Sequence, residues 1–295
     1  VSANPYVTAL GAPATASSRL NLTQAFNSLG TVVGPPLGGI LILSHISAAL
    51  DPNHMTAAER VAQAQSVQGP YLALAATLAV LAILFAVIRL PIIRDADAAT
   101  AAAAGSVLKQ KRLMLGVLAI FLYVGAEVSI GSFLINYLGD AGIAGLSADT
   151  AAKYVAYYWG GAMVGRFVGS AVMRTISPGK VLAFNAAMCI ALLVATTFGH
   201  GHFAMWAVLL VGLFNSIMFP TIFSMAVHEL GPLTSQGSGL LVMAIAGGAL
   251  VPVIQAQAAD VIGLQTSFLI PAVCYAYILY FGAKYARMYV DVKAV

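Results

Sequence analysis

Residues 112–138 read RLMLGVLAIFLYVGAEVSIGSFLINYL, an apolar run in which Glu127 is the only charged side chain after Arg112. A bilayer's hydrocarbon core is crossed by about 20 residues of helix at ~1.5 Å each. This run is therefore long enough to span and too apolar to lie on a wet surface. Runs of the same kind recur at about 19–44, 69–89, 150–174, 180–199, 203–228, 237–260 and 264–288, which makes eight complete spans. Helix is the form expected for them, because backbone groups in lipid must find partners within the protein.

Composition points the same way. Of 295 residues, 60% are hydrophobic and 8% charged, with a mean hydropathy of +0.91. A soluble domain carries roughly 25% charged residues, so soluble enzymes, disordered regulators and secreted disulfide scaffolds are excluded. The fold class expected is all-α, a polytopic membrane protein. A pI near 9.1 would suggest nucleic acid in a soluble chain. Here the basic residues lie between apolar spans, so the partner expected is the lipid bilayer and not nucleic acid. Cys189 and Cys274 both sit inside apolar runs, which leaves no disulfide framework and no CxxC metal site. No glycine loop followed by Lys-Ser/Thr is present to cradle a phosphate. Neither a metal nor a cofactor is expected.

Charge sets the direction of the spans. Arg19, Arg89, Arg94, Lys109, Lys111, Arg112, Arg174, Lys180, Lys284, Arg287 and Lys293 fall in one set of connections, and only Arg60 and Lys153 in the other. The positive-inside rule assigns the first set to the cytoplasm. The segment 91–111 is the longest cytoplasmic connection, with an alanine-rich part (Ala98 to Ala104) and a basic end at Lys109 to Arg112. Two spans precede it and six follow. Asn4 to Leu10 reads as the end of a further span, so the chain is expected to be the C-terminal part of a longer protein. That count suggests a six-plus-six transporter. Residues 1–90 would then end the first half, 91–111 would link the halves, and 112–295 would form the second. On the outer side, Thr56-Ala57-Ala58-Glu59 has the pattern of a capping box ahead of a short helix.

Polar residues inside the spans carry the functional signal, since charge at bilayer depth is costly. Glu127 lies near the middle of its span and Arg166 nearer the cytoplasmic end of the next. Glu127 reads as a hydroxyl acceptor, a proton carrier or a carboxyl paired to another helix. Arg166 reads as a structural or gating charge. Gln24, Asn27 and Thr31, at i, i+3 and i+7, form a stripe that must face protein or water. Amides both donate and accept, so the stripe suits a polyhydroxyl ligand or an interhelical tie equally. Asn215 and Phe219 would add a polar and a stacking group one turn apart. Tyr154, Tyr157 and Tyr158 fit a cavity wall or an interfacial aromatic belt. Gly30-x-x-x-Gly34-Pro35-Pro36-x-Gly38-Gly39, and Gly247-Gly248 with Pro252, are expected to interrupt their helices at matching places.

Three motifs in order, Asn4-Pro5-Tyr6, Arg19 to Ser28 (RLNLTQAFNS) and Phe219 to Ser224 (FPTIFS), resemble the fucose–galactose–proton symporter family of the major facilitator superfamily. The stretch GAEVSIGS in Tyr123 to Leu134, with Gly237 to Leu241 and Gly247-Gly248, is most similar to the glucose/galactose transporter branch. The resemblance runs through essentially the whole chain. It implies twelve helices, of which this chain would hold the tail of the fourth and the fifth to twelfth. It also implies import of a hexose with protons by alternating access, in a monomer of the bacterial inner membrane. In that family the amides matching Gln24 and Asn27 lie in the sugar cavity, and the proton-linked carboxylates match positions upstream of Val1. Gly131, Phe219 and Glu127 stand where fucose members have Trp, Tyr and Gln. L-Fucose, mannose and N-acetylglucosamine remain alternative sugars. The site expected is thus Gln24, Asn27, Glu127, Asn215 and Phe219, with Asn4, Arg166, Arg174, Gly34, Gly247 and Gly248 in structural or gating roles. Gly169 to Lys180 resembles the superfamily's cytoplasmic loop motif, with Met173 in place of the usual acid. Gly34-Pro35-x-x-Gly38-Gly39 also resembles the helix-five signature of drug–proton antiporters, which keeps that class as an alternative.

The charge asymmetry predicts that single cysteines placed at Ala103 and Asn53 react with impermeant maleimide from opposite sides of the membrane. Ala103 should label from the cytoplasm. Labelling of both from one side would contradict the orientation.

Overall fold

A computed structural model of the chain describes residues 3–41, 56, 61, 65, 68–89, 91, 100 and 105–288. The expected capping-box helix at 56–59 and the alanine-rich part of the 91–111 connection lie outside them, apart from isolated positions. Among the described residues the chain is helical with no strand. The helices are α1 (Ala3–Ala9), α2 (Ala16–Leu41), α3 (Gln68–Val87), α4 (Lys111–Gly139), α5 (Ala148–Val172) and α6 (Pro178–Phe198). They continue as α7 (Gly201–Asn215), α8 (Met218–Val227), α9 (Thr234–Met243), α10 (Gly247–Ile262), α11 (Leu264–Ser267) and α12 (Leu269–Lys284).

Among the described residues, six segments are long and apolar enough to cross a membrane: Gln68–Val87, Lys111–Gly139, Pro178–Phe198, Gly201–Val227, Gly231–Ile262 and Leu264–Lys284. The other two expected spans are α2 and α5, which form helices of 26 and 25 residues. Their polar residues set them apart: Arg19, Asn21, Thr23, Gln24, Asn27 and Ser28 in α2, and Asp149, Lys153 and Arg166 in α5. These two helices bring most of the polar chemistry to membrane depth.

Three expected spans are broken. Between α7 and α8, Ser216 and Ile217 leave the helix, because Pro220 has no N–H for the Ser216 carbonyl and its ring crowds that group. A 3-10 turn at Ala244–Ala246 separates α9 from α10, and Phe268 separates α11 from α12. Conversely, α2 runs unbroken through Gly34-Pro35-Pro36, where an interruption was expected. A proline removes a hydrogen bond but not the helix, and in lipid no water competes for the carbonyls it frees.

Two compact units divide the chain, Val1–Leu29 with Arg94–Val295, and Gly30–Ile93. In the second, α3 is apolar around its whole circumference and none of its own residues is buried, with Leu72, Leu78 and Val87 all well exposed. A helix of that kind belongs in hydrocarbon. In the first unit, α4 packs against α8, α10 and α12, while α6 packs against α7 and α12, and α5 against α7.

The α5–α7 seam rests on glycine. A Cβ on Gly165 would strike the Leu213 carbonyl and the Ser216 hydroxyl, and one on Gly212 the Tyr158 carbonyl. Gly161 and Gly169 line the same ridge against Leu213 and Ile217, a small-xxx-small face that lets the two backbones touch. The first half of α2 is fastened to α5 and α8 by hydroxyls. Ser18 Oγ donates to the Ser170 carbonyl at 2.7 Å, and Ser170 Oγ returns a bond to the Ser18 carbonyl at 2.9 Å. Ser17 and Ser224 meet at 2.7 Å, and Asn21 Nδ2 donates to Thr221 Oγ1 at 3.0 Å. Charge returns beyond the end of α8. There Glu229, at φ 56°, lies 3.7 Å from Arg112 and 3.6 Å from His228. Burial holds the His228 imidazole below its ordinary pKa, reinforced by Arg112 and opposed by Glu229.

Gly165→Val should cost at least the ~1–3 kcal/mol typical of overpacking and lower the melting temperature in detergent. Gly160→Ala, whose Cβ would enter open space, should leave it unchanged or slightly raised. Equal melting temperatures for the two variants would contradict the seam.

Candidate functional site

The site is built outward from Arg166. It stands one residue after Gly165, whose missing side chain lets α7 come close enough for Arg166 to reach the α7–α8 break. Arg166 Nε donates to the Ser216 carbonyl at 3.0 Å, the carbonyl that Pro220 leaves without its helical donor. Its Nη1 turns the other way, toward α2, and donates to the Gln24 carbonyl at 3.4 Å and to Ser28 Oγ. One guanidinium thus joins three helices through neutral oxygens. No ion pair links Arg166 to Glu127, although the two charges interact electrostatically across the site.

The amide stripe of α2 sits beside this clamp. Gln24 Nε2 donates to Asn4 Oδ1 of α1 at 3.1 Å, and Asn27 Nδ2 donates to Gln24 Oε1 at 3.5 Å. The three amides form a chain, Asn27 to Gln24 to Asn4, in which Gln24 is half-buried and Asn27 exposed. Each amide retains donors and acceptors beyond these bonds.

On α4, Glu127 is half-buried and accepts a 2.6 Å hydrogen bond at Oε1 from the hydroxyl of Tyr123, one turn earlier. Among the described residues, Glu127 Oε2 has no hydrogen-bond partner, which leaves it available to a hydroxyl. Asn215, the last residue of α7, is fully buried. Its Nδ2 donates to Tyr158 Oη at 2.6 Å and to Tyr275 Oη at 3.2 Å, while its Oδ1 is left without a partner. Phe219 lies across the break in α8 and stacks on Phe223 at 6.1 Å. Asn215 and Phe219 therefore belong to different helices, and the continuous turn expected to join them is absent because Pro220 breaks it.

The remaining positions are spread more widely. Arg174 is exposed beyond the end of α5, and Gly34 lies inside α2. Gly247 opens α10 where a Cβ would collide with the Phe121 carbonyl of α4, and Gly248 faces Val124 and Val128 of the same helix. Gln255 is buried and spans to Ser267 at 3.2 Å. The three tyrosines divide: Tyr158 is in the core, whereas Tyr154 and Tyr157 pack with Trp206, as in an interfacial belt.

Sequence reasoning missed Tyr123, Ser28 and Tyr275 as partners of the site, and offered Tyr158 as a cavity wall without its bond to Asn215. Tyr123 was legible in principle, because an aromatic hydroxyl four residues before a membrane acid shares its helical face. Ser28 was legible in the same way, as the residue four after Gln24. The tyrosines around Asn215 come from positions about 60 residues away on either side and leave no local trace.

The major facilitator superfamily model matches residues 1–252. The glucose/galactose transporter of Brucella abortus is 57% identical over 283 residues, covering 96% of this chain and 66% of its own length. The chain thus spans slightly less than two thirds of that relative. A putative glucose/galactose transporter of Helicobacter pylori is 44% identical over 286 residues, covering 95% of this chain and 69% of its own. The crystal structure of FucP, the Escherichia coli fucose:proton symporter, in its outward conformation superposes with a TM-score of 0.89 at 34% identity. That match covers 96% of this chain and 71% of FucP. The helices, the apolar spans and these likenesses describe one multi-pass protein of the bacterial inner membrane, and the chain belongs to the major facilitator superfamily.

Proposed function

We propose that this chain is part of a secondary transporter that carries a hexose of the glucose/galactose type inward with a proton, by alternating access. The observation that carries the reading is the convergence, in an otherwise apolar protein, of the Asn4–Gln24–Asn27 amide chain, the Arg166 clamp and the Tyr123–Glu127 pair. Sugars are recognised by hydrogen bonds to their hydroxyls, and amides and a carboxylate supply both senses of that bond. Residues 1–90 and 112–295 would contribute opposite walls of the cavity, with 91–111 joining them. Gln24 and Asn27 bind from the first half and Glu127 from the second. Asn215 supports that wall through Tyr158 and Tyr275, and Phe219 supplies a stacking face. Asn4 orients Gln24. Gly34, Gly247 and Gly248 serve helix packing as the halves move. The working unit is a monomer in the bilayer and performs no covalent chemistry. The names of the relatives at 57% and 44% identity favour glucose or galactose over fucose.

Counterflow of labelled glucose and galactose by the full-length protein in proteoliposomes tests the reading. Accumulation of either is expected, with weaker accumulation of L-fucose. Gln24→Ala and Asn27→Ala should each weaken sugar binding by about 1–3 kcal/mol, roughly one to two decades, with normal insertion. Glu127→Gln keeps an acceptor oxygen and should retain both exchange and uphill uptake. Exchange without uphill uptake in that variant would make Glu127 the proton carrier instead. No counterflow of any hexose would overturn the proposal.

A further inference from the structure

Trp159 of α5 lies over Gly131 of α4. A Cβ on Gly131 would stand 3.6 Å from Cζ2 of the indole, in ordinary contact, so a glycine here leaves the ring its room where a long side chain would not. Helical geometry places both residues on faces that build the site. Gly131 follows Glu127 by four residues, within ~40° of it around α4 and ~6 Å along the axis. Trp159 precedes Arg166 by seven residues, within ~20° of it around α5 and ~10 Å along the axis. The positive-inside rule puts the Lys111 end of α4 in the cytoplasm. The indole therefore stands outward of Glu127, and Glu127 outward of Arg166.

The ring is held in place without being covered. Its neighbour Tyr158 meets it edge to face, with centroids 5.2 Å apart and planes at 89°. Tyr158 is itself anchored by Asn215 Nδ2 at 2.6 Å, so the buried amide positions the indole through the phenol between them. Trp159 packs on the core but is only half-buried. Among the described residues its N–H has no hydrogen-bond partner, and it is not one of the buried unpartnered atoms. A tryptophan placed only to fill a core normally has that N–H paired. Trp206, the other tryptophan of the chain, packs instead with Tyr154 and Tyr157 in the aromatic belt.

We propose that Trp159 is a sugar-binding residue, a platform on which one C–H face of the hexose ring stacks at the outer end of the site while Glu127 Oε2 accepts a hydroxyl. The inference rests on the hexose reading above and deepens it. A pyranose carries hydroxyls around its rim and C–H bonds on its faces. Those hydrogens, made slightly positive by the neighbouring oxygens, are attracted to the negative face of an indole. The free N–H can donate to a rim hydroxyl. The amides of α2 and the carboxylate of α4 address hydroxyls alone, and Trp159, in addition to Phe219, supplies the apolar half of the recognition. The ~6 Å of axial separation between indole and carboxylate admits a single sugar ring.

The test is equilibrium binding of glucose and galactose to the full-length protein in detergent, followed by calorimetry and by tryptophan fluorescence. Trp159→Leu should raise Kd about three- to tenfold. Trp159→Phe keeps a ring and should stay within about twofold of the parent. Sugar should shift the tryptophan emission of the parent, and the shift should diminish in Trp159→Phe but not in Trp206→Phe. Unchanged affinity in Trp159→Leu, or an undiminished emission shift in Trp159→Phe, would overturn the platform and leave the hexose reading standing. A loss in Trp159→Phe as large as in Trp159→Leu, with a matching fall in melting temperature, would make the residue structural and overturn the platform too. Failure of the parent to bind or exchange any hexose would overturn the hexose reading and this inference with it.

Discussion

A carbonyl released by a proline and a guanidinium that would otherwise be stranded in the membrane satisfy each other, and the polar part of this molecule is arranged around that bond. Pro220 removes the donor that Ser216 would have found in a continuous helix. An unmet carbonyl at bilayer depth costs several kcal/mol, and an unmet arginine costs at least as much. The Arg166–Ser216 bond at 3.0 Å removes both penalties together. It also demands a close approach of α5 to α7, which Gly165 and Gly212 make possible. With Nε committed to α7–α8, the rest of the guanidinium reaches α2 at the Gln24 carbonyl and Ser28. The turn of α2 that bears the amide stripe is thereby held against the second half of the protein.

This arrangement gives the proposed recognition of hydroxyls a physical basis. Polar side chains in lipid survive by partnering one another, yet a binding site must keep some capacity open. Gln24 uses one bond at its nitrogen and one at its oxygen, and Asn27 one at its nitrogen, to fix their orientation; both leave further donor and acceptor capacity unused, and Glu127 does the same by accepting from Tyr123 on one oxygen. Asn215 differs in that its donors are committed to two tyrosines in the core. Such a residue acts on a ligand through the wall it stiffens.

The helices were legible because a bilayer imposes length and apolarity on any segment that crosses it, and run lengths of hydrophobic residues record that constraint directly. The polar positions Gln24, Asn27, Glu127 and Arg166 were legible for the complementary reason that each is anomalous in its span. Breaks were harder to read. A segment that is apolar on every face has no periodicity to lose, so the interruption at Ser216–Ile217 left only Pro220 as a sign. Pro35-Pro36 gave the same sign with a continuous helix as the outcome. Whether a proline breaks a helix depends on what its freed carbonyl meets, and for Ser216 that partner is 50 residues away. The clasp of Ser18 with Ser170 and the tyrosine pair around Asn215 are likewise set by packing between distant segments.

The central claim is that sugar and proton move together in the same direction, and the most direct measurement is the external pH of lightly buffered, de-energised cells or vesicles expressing the full-length protein. Addition of glucose or galactose should draw protons inward and make the medium more alkaline, with a protonophore abolishing the change. Sugar entry with no pH change, or acidification on adding a cationic drug and none of these sugars, would contradict the account.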